Sequence, residues 1–557
     1  MSVYIDLAIK NFPRILTCMD RNSFSKTYGC LHRDFWMYKT SDFPDAVRQF
    51  GLHAIALLYK NKFNEKNIYF QNRQVLSYIK AGLIFWTQIQ NKDGSFDEFY
   101  PNERGWVGPT AFTTYTSCET YKLIRDELNE NEKELICNSI RRSAYFISKG
   151  DKEKDYLANH HAMACLAVWK SYKILEDKKL YDGYRNLFNN FKKMHNFNEG
   201  WSLEYDGIDP GYLSATVSFL AKIYSDNEDL EILEICKKSI ETCSYFFYPN
   251  GFYGGAIGSR NTQHIYSHGF EIFSNKIELA RRISSEILES YKHDKLVPPQ
   301  NMSDRYLFYR IPELILSEIE NLKNKKNINP EQEKMPWEKE NFIKNFKDCG
   351  VYIVNSDKNY FLCNLSKGGV FEIYNKEKRE LIQFDCGIIV KKKNNQILSS
   401  QWIDKNYMIN IENKNITIEG NLKNIPGNKT FSIYTNILFR LTLIFLNLFP
   451  FLSHKLKGLI RMIIVLGKKE TKVKFKRTIN LEKNHIKIVD NLHNLNNLKI
   501  KSIILGGVFY NRFVPQSQFF QNYEIIDNNN KKVFTPSDID RKRYNGLIIY
   551  ERNLNLE

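Results

Sequence analysis

Turn glycines recur along the first half of the chain at Gly94, Gly150, Gly200 and Gly251, at intervals of 56, 50 and 51 residues. Two ordinary helices with their two connections take up about that much chain. From about residue 44 to 322 the apolar residues keep helical spacing. Ala46, Phe50, His53-Ala54 and Leu57-Leu58 mark one helix, Val75, Ile79, Leu83 and Trp86 a second, and Ala162, Leu166, Trp169 and Tyr172 a third. Such a repeat predicts an array of helical hairpins. An array of this kind extends as an open solenoid or closes into an (α/α) toroid whose inner helix ends surround a cleft. The DGSF turn at residues 93–96, directly behind the Trp86 helix, favours closure.

The pattern changes at residues 323–340, a charged stretch with two prolines and no periodicity that reads as a linker. Beyond it, short alternating runs at 351–354, 360–363, 370–374, 388–390, 416–419, 473–475, 486–489 and 503–504 read as strands. The expected organisation is a toroid over residues 1–322, the linker, and an antiparallel β-sandwich over 341–557. One segment breaks the strand pattern. Residues 437–466 are nearly all apolar, are divided by Pro450 and carry Arg440, Lys455, Lys457 and Arg461. Each half is shorter than the roughly 20 residues that span a bilayer. Leu452, Leu456, Leu459-Ile460 and Ile463 fall on one helical stripe, the layout of an interfacial helix, and a lysine-rich run from Lys468 to Arg477 suits anionic headgroups. Peripheral membrane contact is the expectation, with packing between the domains as the alternative.

The 80 Lys and Arg against 63 Asp and Glu leave a net charge of +17, which favours a polyanionic partner. No zinc-finger, RNP or helix-turn-helix signature is present, so nucleic acid is set aside. The ten cysteines form no CxxC pair and read as reduced, buried thiols. The first twenty residues include Asp6 and lack both an uninterrupted apolar core and a cleavage site, so the expected location is cytoplasmic, peripheral on the inner face of the membrane. No cofactor and no metal is expected.

Three polar segments interrupt the helices: Asn159-His160-His161, residues 199–212 and residues 258–271. They gather amide, imidazole, phenol and guanidinium groups, the equipment for gripping a carboxylate and moving a proton beside it. Taking the C5 proton from a uronic acid is hard because the adjacent carboxylate already holds negative charge. Donors must neutralise that carboxylate, and a base and an acid must reach C5 and the glycosidic oxygen. Asn159 and His160, at the start of a helix, suit the first task, although Asn159 also suits a capping role. Tyr212 is the candidate acid/base, with Tyr205 in reserve. Its phenol, ordinarily near a pKa of about 10, needs a cation such as Arg260 to act as a base near neutrality. Arg260 suits bidentate contact with a carboxylate, and Asn261 can orient the imidazoles of His264 and His268. Those two histidines lie four apart and on a helix would share a face fit for a metal, but Gly269 follows and an extended substrate-lining loop is the better account. Trp106 and Trp201, in glycine-flanked loops, suit stacking on sugar rings.

The runs HRDFWMYKTSDFPDA, NHHAMACLA, YDGIDPGYLS and GSRNTQHIYSHGFE resemble the heparinase II/III-like superfamily, and more closely its members encoded with bacterial surface-polysaccharide biosynthesis. The resemblance implies an N-terminal (α/α) toroid and a C-terminal antiparallel β-sandwich. It also implies that Asn159 or His160 matches the carboxylate-neutralising position, Tyr212 the Tyr acid/base, His264 or His268 the remaining histidine, and Arg260 a carboxylate or subsite contact. The superfamily includes polysaccharide lyases, in which the C5 carbanion expels the C4 oxygen, and uronyl C5-epimerases, in which it is reprotonated from the opposite face. The chain departs from secreted lyases in lacking an export signal and a zinc-ligand cluster. The expectation is therefore an epimerase that edits an acidic glycan, free or lipid-linked, with a heparinase-like lyase as the alternative. A glycoside hydrolase using Glu204, Asp206 and Asp209, or a non-catalytic glycan-binding protein, are further readings.

Overall fold

Six helices buried on nearly every side form the inner wall of a closed ring. The computed structural model describes residues 2–101, 107–149, 157–324, 333–412, 414–425, 432–449, 469–496, 498–507, 531–542 and 545–556, with a few single positions besides. The helices are α1 (Val3–Cys18), α2 (Arg33–Trp36), α3 (Gly51–Lys60), α4 (Arg73–Gln88), α5 (Val107–Ile124), α6 (Glu130–Ser148) and α7 (Ala158–Leu175). They continue with α8 (Lys178–Lys192), α9 (Pro210–Asn227), α10 (Leu230–Ser244), α11 (His268–Phe273), α12 (Glu278–Lys292) and α13 (Asp304–Asn324). Helices α3, α5, α7, α9, α11 and α13 each pack on the next, and α13 returns to pack on α3, so the array closes. Outside them lie α4, α6, α8, α10, α12 and α1.

The two rings differ in sequence for a physical reason. An inner helix has neighbours all round: 15 of the 18 residues of α5 are buried, many of them Thr, Ser and Ala. Small side chains let backbones approach, and the Thr113 and Thr116 hydroxyls donate to carbonyls of their own helix, so they cost little to bury. An outer helix needs only one apolar stripe, which in α8 is Leu180, Tyr184, Leu187, Phe188 and Phe191.

The second half is two antiparallel sheets. Between the helices, β1 (His195–Asn196) and β2 (Trp201–Ser202) form a short hairpin. Beyond α13, β3 (Phe342–Phe346), β4 (Val351–Asn355), β5 (Asn359–Asn364), β6 (Val370–Asn375) and β7 (Glu380–Asp385) pair in chain order. The larger sheet contains β8 (Ile388–Lys392), β9 (Ile397–Ser399), β10 (Met408–Glu412), β11 (Asn415–Ile425), β12 (Lys469–Leu481), β13 (His485–His493), β14 (Ile500–Leu505), β15 (Lys532–Phe534) and β16 (Ile548–Asn555). Its order is β15-β14-β8-β9-β11-β12-β13-β16, with β10 on β11. All eight runs read as strands from the sequence lie in these strands.

The five-stranded sheet is buried on both faces, and the alternation along each strand assigns the sides. Tyr352, Phe361, Cys363, Phe371 and Ile373 pack against the larger sheet, whereas Val351, Ile353, Tyr360, Leu362, Val370 and Tyr374 join the core of the toroid. Toroid and sandwich therefore share a wall. Polar contacts lock it: the Tyr360 hydroxyl donates to the Tyr245 carbonyl (2.9 Å), Asn364 Nδ2 to the Ile257 carbonyl (2.7 Å), and Lys367 Nζ to the Ala256 and Gly258 carbonyls (2.6 Å each). Between the two sheets Arg477 and Arg552 share Asp385 and Asp490 in a fully buried ionic quartet.

Residues 323–324 end helix α13 rather than open the linker, and 325–332 lie outside the described residues. The apolar insertion is a helix, α14 (Ile433–Asn447), that starts four residues earlier than the sequence pattern suggests. Its second half lies almost wholly outside the described residues, including Pro450, Lys457, Ile460, Arg461 and Ile463. One side of α14 packs: Leu443 and Leu446 are buried, the Arg440 guanidinium lies 3.2 Å from Asp42, and Phe439 meets the Tyr100 ring edge-on at 5.4 Å. The other side exposes Ile433, Tyr434, Ile437, Leu438, Leu441, Ile444 and Phe445. Among the described residues no helix is long and apolar enough to cross a membrane.

Two stability effects follow. Arg477→Ala leaves two carboxylates buried beside a single guanidinium and is expected to cost about 3–5 kcal/mol in chemical denaturation. Lys367→Met strips the buried Ala256 and Gly258 carbonyls of their donor; a loss of about 2 kcal/mol and faster hydrogen exchange across residues 255–262 are expected.

Candidate active site

Helices α3, α5, α7, α9 and α13 begin at one mouth of the ring, where Asn159, Tyr212 and His264 sit, whereas α11 begins deeper inside the ring. Phe112, one turn into α5, meets His160 of α7 edge-on (5.6 Å) and Tyr309 of α13 (5.3 Å), and Tyr309 in turn meets Phe50 just before α3 (4.7 Å). Helix N-termini carry partial positive charge, so their convergence favours an anionic ligand.

Asn159 is not the cap of α7. It is the second helical residue, and Leu157 stands at the cap position with no side-chain bond. The missing acceptor comes from elsewhere in the chain: Glu204 Oε1 accepts from the Asn159 backbone N–H (2.7 Å) and Oε2 from Asn159 Nδ2 (2.8 Å). One amide hydrogen of Asn159 is thus fixed on Glu204, and the geometry of the amide sets the direction of the second. Burial pushes the Glu204 carboxyl well above the usual carboxylate range, against the pull of the two Asn159 bonds.

The run Asp209-Pro210-Gly211-Tyr212 explains where Tyr212 stands. Asp209 caps α9, its Oδ1 accepting from the Tyr212 backbone N–H (3.2 Å), and Pro210 takes the first helical position, where no N–H is needed. Asp209 Oδ2 accepts from the Arg260 backbone N–H (3.1 Å), tying the 258–267 segment to the same cap. Gly211 permits that approach: a Cβ there would lie 2.4 Å from Thr262 Cγ2. The Tyr212 and His264 rings then meet at right angles, 6.2 Å between centroids.

Burial separates the two groups chemically. The Tyr212 phenol is pushed well above its ordinary value by desolvation and by Tyr205, Tyr306, Asp209 and Glu204, so the expected lowering by a cation is not found and the phenol keeps its proton near neutrality. The His264 imidazole is pushed well below its ordinary value by desolvation and by Arg310, so it is neutral. Among the described residues neither His264 ring nitrogen has a hydrogen-bond partner. A protonated phenol beside a neutral imidazole is an acid beside a base.

The remaining predicted residues divide. Arg260 is almost fully buried, its guanidinium 3.9 Å from the centre of the Tyr205 ring and 3.8 Å from Asp206 Oδ2. Tyr205, with left-handed φ (+63°) at the tip of a tight turn, is thereby a platform for Arg260. Asn261, also left-handed (φ +55°), is fully buried, and its side-chain amide has no partner among the described residues. His268 departs from expectation. It opens α11, with Lys222, Lys323, His53 and Lys170 as its titratable neighbours, and so belongs to the interior of the ring rather than to the Tyr212 cluster. Because His264 lies before that helix, the two histidines share no helical face. Trp201 faces the junction with the sandwich, its indole N–H donating to Glu199 (2.9 Å). Trp106 lies outside the described residues.

Of the three carboxylates considered for hydrolysis, Glu204 anchors Asn159 and Asp209 caps α9. Asp206 accepts from the Trp402 indole of the sandwich (3.2 Å). Sequence reasoning missed Glu204 as an anchor, because a lone Glu in EGWSLEYDG has no pattern to announce its partner. It also missed Tyr306, Tyr309 and Arg310, whose three- and four-residue spacing in DRYLFYR was a visible sign of one helical face. Among the described residues no group of three or more His, Cys, Asp or Glu is placed to hold a metal ion.

Residues 70–269 match the family model described as the ulvan lyase N-terminal domain, a span that contains Asn159, Tyr212 and His264. No curated protein matches the chain. Among solved structures, a chondroitin AC lyase of Streptomyces coelicolor A3 in complex with chondroitin sulphate superposes with a TM-score of 0.56 at 8% identity, over 90% of this chain and 68% of that one. A Paenibacillus xanthan lyase gives 0.53 at 10% identity over 90% of this chain, which spans only 46% of that enzyme's length. Residues 70–269 thus match a polysaccharide-lyase domain family, and the chain as a whole shares its toroid-plus-sandwich fold with these two solved lyases.

Proposed function

We propose that the protein is a polysaccharide lyase that cleaves an acidic glycan by β-elimination at a uronate residue. The observation that carries this reading is the Tyr212–His264 pair, a protonated phenol against a neutral imidazole, with Glu204, the carboxyl that anchors Asn159, among the electrostatic neighbours of Tyr212. Asn159 Nδ2 and the helix N-termini meet the uronate carboxylate and draw off charge as it builds. His264 takes the C5 proton, the C4–O bond breaks, and Tyr212 gives its proton to the leaving oxygen. Arg260, seated on Tyr205 and Asp206, has Tyr212 among its electrostatic neighbours.

Epimerisation, favoured on the sequence alone, requires a proton donor across the sugar ring from the base. The side-by-side placement of His264 and Tyr212 supports elimination instead, as does the likeness to lyases. Hydrolysis is disfavoured because Glu204 and Asp209 are engaged in holding the backbone.

Product analysis in heavy water with chondroitin sulphate, xanthan and ulvan oligosaccharides tests the reading. Elimination gives the ultraviolet absorbance of an unsaturated uronate and a shortened chain, whereas deuterium at C5 of an intact chain would establish epimerisation. Tyr212→Phe is expected to lower kcat by about a thousandfold. Because His264 titrates below the ordinary histidine value of about 6.5, kcat/KM should hold its level down through about pH 6. A fall centred on the ordinary value would assign the base elsewhere.

The exposed apolar side of α14 and the net charge of +17 support a peripheral seat on an anionic lipid surface. Co-sedimentation with phosphatidylglycerol vesicles is expected, and Leu438→Ser/Leu441→Ser should reduce it at least tenfold. Concentration-dependent dimerisation without vesicle binding would assign that face to a second copy.

A further inference from the structure

An open cavity of about 570 Å³ lies where the β1–β2 hairpin of the toroid faces the sandwich. Its walls carry Lys193 from the end of α8, Lys347 from the β3–β4 turn and Lys405 from the loop before β10, against the single carboxylate of Asp348. Among the residues that line it, ammonium groups outnumber carboxylates. Among the described residues none of the three lysines forms an ion pair, and the Asp348 carboxylate already accepts from Asn196 Nδ2 (2.6 Å). His195 forms part of the wall and is about nine-tenths buried. Its Nδ1 lies 3.0 Å from the Ser202 hydroxyl, while Nε2 has no partner among the described residues. With the Ser202 hydroxyl donating to Nδ1, the Nε2 position carries the proton and is a donor. Trp201 adds an aromatic wall.

The cavity is pre-formed. Gly200 turns the hairpin with φ +70° and sits so close to α10 that a Cβ would lie 2.4 Å from the Lys238 carbonyl. The Glu199 carboxylate accepts from the backbone N–H groups of Asp348 (3.0 Å) and Cys349 (3.3 Å), which fixes the toroid wall against the sandwich wall. Excess positive charge, a buried imidazole without a partner at one nitrogen, and a stacking surface meet in one rigid place.

We propose that this junction cavity is an oxyanion subsite, in which Lys193, Lys347, Lys405 and His195 hold a sulfate ester or carboxylate of an acidic saccharide against Trp201. That the anion arrives on a saccharide rests on the lyase reading; the anion site itself does not. The site extends the requirement of the protein from one uronate at the ring mouth to a glycan with a second anionic group.

The test uses full-length protein with 15N-labelled histidine, the His195 ring signals being assigned with His195→Gln. Titration with inorganic sulfate is expected to shift them saturably, and Lys347→Ala/Lys405→Ala, both at exposed positions, to weaken the response at least tenfold. A parallel titration with acetate distinguishes a sulfate-ester site from a carboxylate site by which anion saturates at lower concentration. No saturable shift with either anion, or an unchanged response in the double variant, overturns the proposal. Turnover of the oligosaccharide panel by the wild-type protein is read separately: a sulfate response without turnover sinks the lyase reading and leaves the subsite standing.

Discussion

Lys367 reaches from the sandwich into the toroid and donates to the carbonyls of Ala256 and Gly258. The segment from Gly254 to Ser267 has no regular secondary structure, yet it is buried throughout, so each of its backbone polar groups needs a partner. The toroid provides some of them. Gly255 N–H donates to the Thr262 carbonyl, Ser259 N–H to the Ile208 carbonyl, and Arg260 N–H to Asp209 Oδ2. The sandwich provides three more, Lys367 and Asn364 donating to the carbonyls of Ala256, Gly258 and Ile257. A ring of helices alone would leave this loop unsatisfied, which explains why the five-stranded sheet is buried on both faces.

With the loop held, the chemistry of the site follows from burial. Water is kept from Tyr212 and His264 alike, and desolvation penalises the charged form of each. The same cause therefore drives their pKa values in opposite directions, the phenol upward and the imidazole downward. Burial alone is enough to separate the acid from the base. Glu204 and Asp209, the carboxylates nearest the pair, are spent on helix N-termini, where they fix the positions of Asn159 and Tyr212.

The parts of this architecture that are legible in the sequence are those set by local periodicity. The glycine spacing marks the hairpins and the alternating runs mark the central strands. The strands that escape notice are short or hydrophilic, such as β10 (MINIE), or lie at edges, such as β3 and β15, where only one side of the strand carries a packing signal. Asp209-Pro210-Gly211-Tyr212 is readable as a helix start because Asp and Pro act there locally. Partnerships over long separations are not readable. Asn159 resembles a cap in the sequence because its real acceptor, Glu204, lies 45 residues on. His268 groups with His264 by proximity in the chain, but the start of α11 between them turns the two rings toward different surroundings. Helix α14 is visible as an apolar run, whereas its contact with Asp42 and Tyr100 depends on the chain returning to the toroid across a separation that no local pattern records.

The most direct test of the central claim is a structure of the Tyr212→Phe protein with a uronate oligosaccharide bound. The account predicts one uronate with its carboxylate within hydrogen-bond reach of Asn159 Nδ2 and its C5 hydrogen directed at the His264 ring, with the leaving oxygen beside the edge of the substituted ring, where the Tyr212 hydroxyl stands in the native protein. A saccharide bound with its carboxylate remote from Asn159, and with His264 facing no C–H bond of the sugar, would contradict it.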